Sequence, residues 1–211
     1  MTGGANRSDT TEPMALWRLT EPLILASRST ARRDLLQAAA IPVEIAPADI
    51  DERAVAGSEG AALALDLAAA KALAAAAKAP GRLVLGADQT MSFGPDLIHK
   101  AATVAEAHEI LGLLRGNTHH LHSAAALARD GKVLWRGVDR AELVMRWFDD
   151  HFLDLYLDAA GPSVTETVGG YRLEGLGIHL FERIVGDHAT ILGLPLLAVL
   201  AALRNLGALE G

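Results

Sequence analysis

Residues 23–26, Leu-Ile-Leu-Ala, form an unbroken apolar run that predicts a buried strand, and Leu35 and Leu36 mark the helix after it. Between them stand Ser27, Ser29, Thr30, Arg32 and Arg33, a strand-to-helix turn crowded with hydroxyls and guanidinium groups. Residues 43–46 predict a second strand, which runs into the acidic Asp49-Ile50-Asp51-Glu52. An Ala/Leu-rich stretch over 58–79 predicts a long helix, with Ser58 as N-cap and Pro80-Gly81 ending it. Leu83-Val84-Leu85 predicts a short strand closing at Gly86-Ala87-Asp88. Residues 103–114 predict a helix with Thr103 and Glu106 as a capping box. Residues 118–128 and 132–145 predict two strands joined by a tight turn at Arg129-Asp130-Gly131-Lys132. Further helices are expected over 149–158, before Gly161-Pro162, and over 192–206, with Pro195 near the first turn.

Strands alternating with helices around a central hairpin imply an α/β fold with a mixed sheet. There is no internal repeat. Residues 1–20 are polar, with Gly-Gly and Thr-Thr pairs, and read as a flexible N-terminal tail; residues 21–211 read as a single domain. With 51% hydrophobic and 21% charged residues, a packed soluble core is expected. No apolar run approaches the roughly 18–20 residues a membrane span needs, and the N-terminus lacks the apolar region of a signal peptide. Zero cysteines exclude disulfides and thiolate metal sites and fit a cytoplasmic location. The net charge of −7, with Lys and Arg scattered, argues against a polymeric nucleic acid as partner. A small anion held by a few local cations is compatible with that balance.

Three groups of residues could serve such an anion. In an α/β sheet, ligands collect beyond the carboxyl ends of strands, where free N–H groups at the next helix favour negative charge. Ser27 and Ser29 would add hydroxyl donors there, and Arg32 a planar fork matched to phosphate oxygens. Taken alone, the same pattern describes an N-cap serine followed by a solvated basic turn. Asp88, at the end of its short strand, would share that sheet edge; it could bind Mg²⁺ or orient a water, or simply cap a turn. Asp51 and Glu52 add carboxylates for a metal. Lys71, in the long helix, and Lys100 could neutralise a phosphate or lie on the surface. The eight histidines show no metal-ligand spacing.

Together these segments resemble the Maf-like nucleoside triphosphate pyrophosphatases, the septum-formation family. LASRSTARRDLL is similar to that family's S-x-S-P-R-R-x-x-L-L opening, IDE to its acidic segment, AAAKA to its helix lysine and LGADQ to the strand carrying its catalytic aspartate. LIHKA, LRGNTHHLHSAAAL, GGYRLEGLGIHLFERIVG and ILGLPL come next in family order. The resemblance implies a mixed twisted sheet flanked by helices, inosine-triphosphatase-like, with a substrate cleft. It implies Asp88 as the catalytic residue, and Ser27, Ser29, Arg32, Lys71 and Lys100 as triphosphate ligands. A divalent cation, Mg²⁺ first, would sit near Asp88, Glu52 and Asp51. The implied reaction hydrolyses a nucleoside triphosphate to the monophosphate and pyrophosphate, and a homodimer is allowed for.

Gln89 and Glu174 are similar to the family's 7-methyl-GTP group rather than its dTTP/UTP group, where threonine and glutamine stand. Ala31 departs from both groups, which carry tryptophan or arginine there. Thr30 replaces the proline of S-P-R-R, and His99-Lys100-Ala101 keeps only the lysine of G-K-P. The expected substrate is therefore 7-methyl-GTP or a related non-canonical nucleotide. The alternatives are a dTTP/UTP pyrophosphatase of the same family and a nucleotide-binding regulator of septum formation with incidental hydrolysis.

Overall fold

The computed structural model describes residues 16–52, 55 and 60–211. A mixed sheet forms the frame: β1 (Leu23–Leu25), β2 (Val43–Ile45), β3 (Val84–Phe93), β4 (Asp96–Ile98), β5 (Thr118–Arg129), β6 (Lys132–Met145) and β7 (Phe181–Val185). The strand order is β2-β1-β3-β5-β6-β7, with β4 paired to β3. β1 runs parallel to β2 and β3, and the remaining pairs are antiparallel. The expected hairpin is present. Asp130 and Gly131 both take positive φ, 49° and 74°, the geometry of a two-residue turn matched to strand twist.

Helix α2 (Gly60–Ala76) covers one face of the sheet. Its buried stripe, Ala64, Ala68, Ala72 and Ala76, recurs every four residues and meets Ala124, Ala126 and Ala128 of β5. With such small side chains on both sides the backbones approach closely. A Cβ on Gly86 of β3 would lie 2.2 Å from Ala68 O and 2.5 Å from Ala72 N, so only glycine fits beneath the helix. The N-terminal end of the expected helix, Ser58 included, lies outside the described residues.

On the opposite face, α1 (Thr30–Ala38) and α6 (Leu196–Asn205) cover one end of the sheet around Leu23, Leu25, Leu36, Leu85, Leu127 and Leu203. Helices α3 (Val104–Leu114) and α4 (Asp150–Ala160) cover the other end with Met91, Leu111, Leu121, Leu143 and Leu153. The short α5 (His188–Ile191) lies between them. Thr103 caps α3 as expected, its hydroxyl accepting from Glu106 N–H. Among the described residues no helix is long and apolar enough to cross a membrane.

Two expectations change. Residues 16–20, assigned to the tail, are tied to the C-terminus: Arg18 N–H donates to Ala208 O, Glu210 N–H to Leu16 O, and Trp17 and Leu19 pack on the apolar core. The strand expected to end at Asp88 instead continues to Phe93. Its polar residues broke the apolar pattern because each meets a polar partner, Asp88 at Lys71, Gln89 at the Thr190 and Ile191 carbonyls and Thr90 at Gly60 O.

Candidate active site

The cleft starts as a gap in the sheet. One edge of β3 pairs with β1 at Val84 and Leu85, then with β4 from Met91 to Phe93. Among the described residues no strand covers positions 86–90 on that edge, while the other edge stays paired with β5 throughout. Asp88 thus lies just past the end of β1, as the sequence suggested, yet in mid-strand. The gap opens into a cleft of about 1110 Å³. Lining it are Ser27, Ser29, Ala31, Arg32, Glu52, Lys71, Asp88, Gln89, Lys100 and Glu174. Asp51 is exposed and does not line it.

Strand alternation sends Asp88 toward α2, where Lys71 reaches down one turn beyond Leu67. Lys71 Nζ lies 2.5 Å from Asp88 Oδ1 and 2.7 Å from Glu52 Oε1. The Lys71 and Asp88 side chains are 13% and 12% exposed, so this pair is largely desolvated; Glu52, at 58%, reaches it from the solvent side. Two hard carboxylates meeting at one cationic point are the donor chemistry a Mg²⁺ site uses, with phosphate oxygens and water completing the shell. Among the described residues no three Asp, Glu or His side chains converge on a metal position. The residues present fit a cation shared with substrate rather than a closed protein cage.

The turn after β1 shows what its hydroxyls and guanidinium do. Ser29 is the N-cap of α1, its Oγ accepting from Arg32 N–H. Ser27 Oγ accepts from Ser29 N–H at 3.2 Å and from Arg32 Nη1 at 3.1 Å. An oxygen that accepts twice still has its own O–H to donate, so Ser27 can serve an anion in the cleft. Arg32 spans the site from below. Its Nη1 also donates to Ala87 O at 2.9 Å and its Nε to Gly193 O at 2.8 Å. Burial lowers the guanidinium's pKa, with Asp88 and Glu52 opposing the shift, but a guanidinium stays protonated. The expectation for Arg32 was phosphate contact; the structure adds a brace that ties β1, β3 and the loop after α5 together.

The opposite wall carries Lys100, exposed and held in place by a bridge between its backbone and Val168. Beyond it the segment through residues 166–174 brings Glu174 to the rim. Behind that segment Tyr171 is buried, its hydroxyl 2.7 Å from Nε2 of the fully buried His119. Burial holds His119 well below the usual histidine range, at about 4. Ala31 and Glu174 also line a smaller recess of about 330 Å³ that opens beside the cleft.

Gln89, expected to govern specificity, points away from Asp88. Its Nε2 donates to Ser123 Oγ, Thr190 O and Ile191 O at 2.9, 3.2 and 3.0 Å. Sequence reading missed Ser123, Thr190 and Gly193, because nothing local marks a buried polar residue as part of a site. It also missed Arg28, which lines the cleft mouth and pairs with Asp49 at 2.9 Å.

Comparison with known proteins identifies relatives along nearly the whole chain. The chain is 50% identical over 196 residues to a nucleoside triphosphate pyrophosphatase of Nitrobacter winogradskyi, covering 91% of this chain and 97% of that one. It is 48% identical to a 7-methyl-GTP pyrophosphatase of Mesorhizobium japonicum, covering 92% and 100%. Among solved structures, a HAM1 protein from Coxiella burnetii overlaps 59% of this chain and 72% of its own, with a TM-score of 0.42 and 18% identity. The family model described as "Maf-like protein" matches residues 22–206, and the chain belongs to that family.

Proposed function

We propose that the cleft hydrolyses a nucleoside triphosphate to the monophosphate and pyrophosphate. The observation that carries this reading is the facing pair of walls. Ser27, Ser29 and Arg32 lie on one side, Lys100 on the other, and the Lys71–Asp88–Glu52 cluster between them. Two relatives named for pyrophosphatase activity, each about half identical, point the same way.

Such a reaction needs charge neutralisation and positioning more than covalent chemistry. Water oxygen bonds to the α phosphorus and the bond from that phosphorus to the bridging oxygen breaks. Pyrophosphate leaves with the electron pair. Asp88 orients the water and receives its proton. Lys71, Arg32 and Lys100 stabilise negative charge on the leaving group, an effect worth roughly 10²–10³-fold in rate per well-placed donor. A bound Mg²⁺, held by Asp88 and Glu52, would supply further charge neutralisation on the phosphates.

For the base, the recess shared by Ala31 and Glu174 favours a guanine, with N7-methylated guanine first. Glu174 can accept from guanine N–H groups and complement the positive charge that N7-methylation creates. Ala31 supplies no aromatic face, so selectivity over GTP is modest. The test is pyrophosphate release across 7-methyl-GTP, GTP, dTTP and UTP with Mg²⁺. The expected order places 7-methyl-GTP first and GTP close behind, and a clear preference for dTTP and UTP would reject the guanine assignment.

A further inference from the structure

One row of polar side chains crosses the sheet from Gln89, at the wall of the cleft, to residues that do not line it. Gln89 of β3 pairs in register with Ser123 of β5, and Ser123 with Asp139 of β6. Alternation puts all three on the face that carries α5. The rows on either side, Ala87–Ala125–Gly137 and Met91–Leu121–Ala141, are apolar. Gln89 is half-buried and Ser123 fully buried, so their polar groups need partners, whereas Asp139 at the far end of the row is exposed.

All three residues converge on Thr190, which is fully buried. Gln89 Nε2 and Ser123 Oγ both donate to Thr190 O, the latter at 2.6 Å. In return the Thr190 hydroxyl donates to Asp139 Oδ2 at 2.8 Å. Helix α5 has only four residues and cannot hold itself, so these bonds, with Asp187 capping its first turn, fix where it sits. The chain leaving α5 takes its course from that placement. Gly193 N–H donates to Thr190 O and Leu194 N–H to Ala189 O, with Gly193 at φ +98°, the paired-bond helix end that needs a glycine. This end aims Gly193 O at Arg32 Nε. A Cβ on Gly193 would come within 3.2 Å of that nitrogen.

We propose that Asp139 and Thr190 are positioning residues for Arg32, acting through the end of α5. Asp139 lies two strands away from Asp88 and does not line the cleft. The polar row fixes Thr190, Thr190 fixes the Gly193 carbonyl, and that carbonyl sets the guanidinium against Ser27 and Ala87. The inference rests on the triphosphate reading only for its effect on turnover; the coupling itself is structural.

Four variants and one background test it. Thr190→Val removes the hydroxyl at nearly constant shape and Thr190→Ser keeps it. Asp139→Ala removes the acceptor and Asp139→Asn keeps an oxygen. Thr190→Val and Asp139→Ala should each speed amide hydrogen exchange over residues 188–194 by roughly five- to tenfold, the factor carried by one net hydrogen bond. Both should lower kcat/KM for pyrophosphate release by a similar factor, while Thr190→Ser and Asp139→Asn stay near wild type. In an Arg32→Ala background neither substitution should lower kcat/KM further. Unchanged exchange over 188–194, or equal losses with and without Arg32, would overturn the proposal. If Arg32→Ala alone leaves turnover intact, the phosphate role of Arg32 falls, and the exchange result still decides the coupling.

Discussion

Lys71 Nζ and Asp88 Oδ1 stand 2.5 Å apart, joining the helix on one face of the sheet to the strand edge left open by β1. Each of these nearly buried groups needs the other. Lys71→Ala is expected to lower stability on the order of 3 kcal/mol, because it strands a carboxylate. Asp88→Asn added to Lys71→Ala should recover much of that loss, since neither charge then remains. Chemical denaturation of the two single variants and the double variant measures the coupling. Simple additivity would show that the pair is not energetically linked.

Arg32 is expected to matter for the fold as well as for turnover. Arg32→Ala removes bonds to Ser27, Ala87 and Gly193, so it should cost roughly 1.5–3 kcal/mol of stability in addition to its kinetic effect. Arg32→Lys should rescue little, because an ammonium cannot reproduce the planar fork. Thermal melts beside steady-state kinetics check this; a Lys variant with native stability and turnover would contradict the brace.

The distance between α2 and β3 is set at Gly86. Gly86→Ala would drive a methyl into the backbone at Ala68 and Ala72 and lift the helix that carries Lys71. The expected loss is about 1–3 kcal/mol, as for overpacked cores, together with weakened turnover. Gly81→Ala makes a useful contrast, since its Cβ would meet no atom within 4 Å and its cost comes from positive φ alone.

Much of the fold was legible in the sequence, and the parts that were not have physical reasons. Glu106, expected to complete a capping box, accepts from Ala102 N–H instead of Thr103 N–H. The apolar runs of β1 and β5 and the Thr103 N-cap of α3 are local signals, and they read correctly. β3 did not, because Asp88, Gln89 and Thr90 interrupt its apolar pattern: Asp88 meets Lys71, Gln89 meets α5, and Thr90 donates to Gly60 O. The cleft residues were recognisable one by one. That Arg32 braces Gly193, or that Ser123 and Asp139 share a row with Gln89, depends on strand register, which no short window of sequence carries.

Buried His119 makes stability depend on acid. Inside the fold it stays neutral down to about pH 4, whereas in the unfolded chain it takes a proton near 6.5. Between those values the unfolded state binds more protons. Stability should therefore fall as pH drops from about 6.5 to 4, by up to about 3 kcal/mol, with no contribution from this group above 6.5. His119→Gln removes the titration. Melts across this range should show a shallower acid slope for the variant; parallel slopes would place the acid sensitivity elsewhere.

Glu174 tests the base assignment. Glu174→Gln keeps the shape but loses the charge, so the ratio of kcat/KM for 7-methyl-GTP to that for UTP should fall by roughly tenfold, the size of one charge-assisted contact. An unchanged ratio would place base selection outside the recess.

The central claim, hydrolysis between the α and β phosphates at Asp88, is tested most directly by ³¹P NMR of the products formed from 7-methyl-GTP with Mg²⁺ in ¹⁸O-labelled water. The account requires labelled monophosphate and unlabelled pyrophosphate from the native protein, and neither from folded Asp88→Asn. Orthophosphate with a nucleoside diphosphate, or native-level pyrophosphate release by Asp88→Asn, would contradict it.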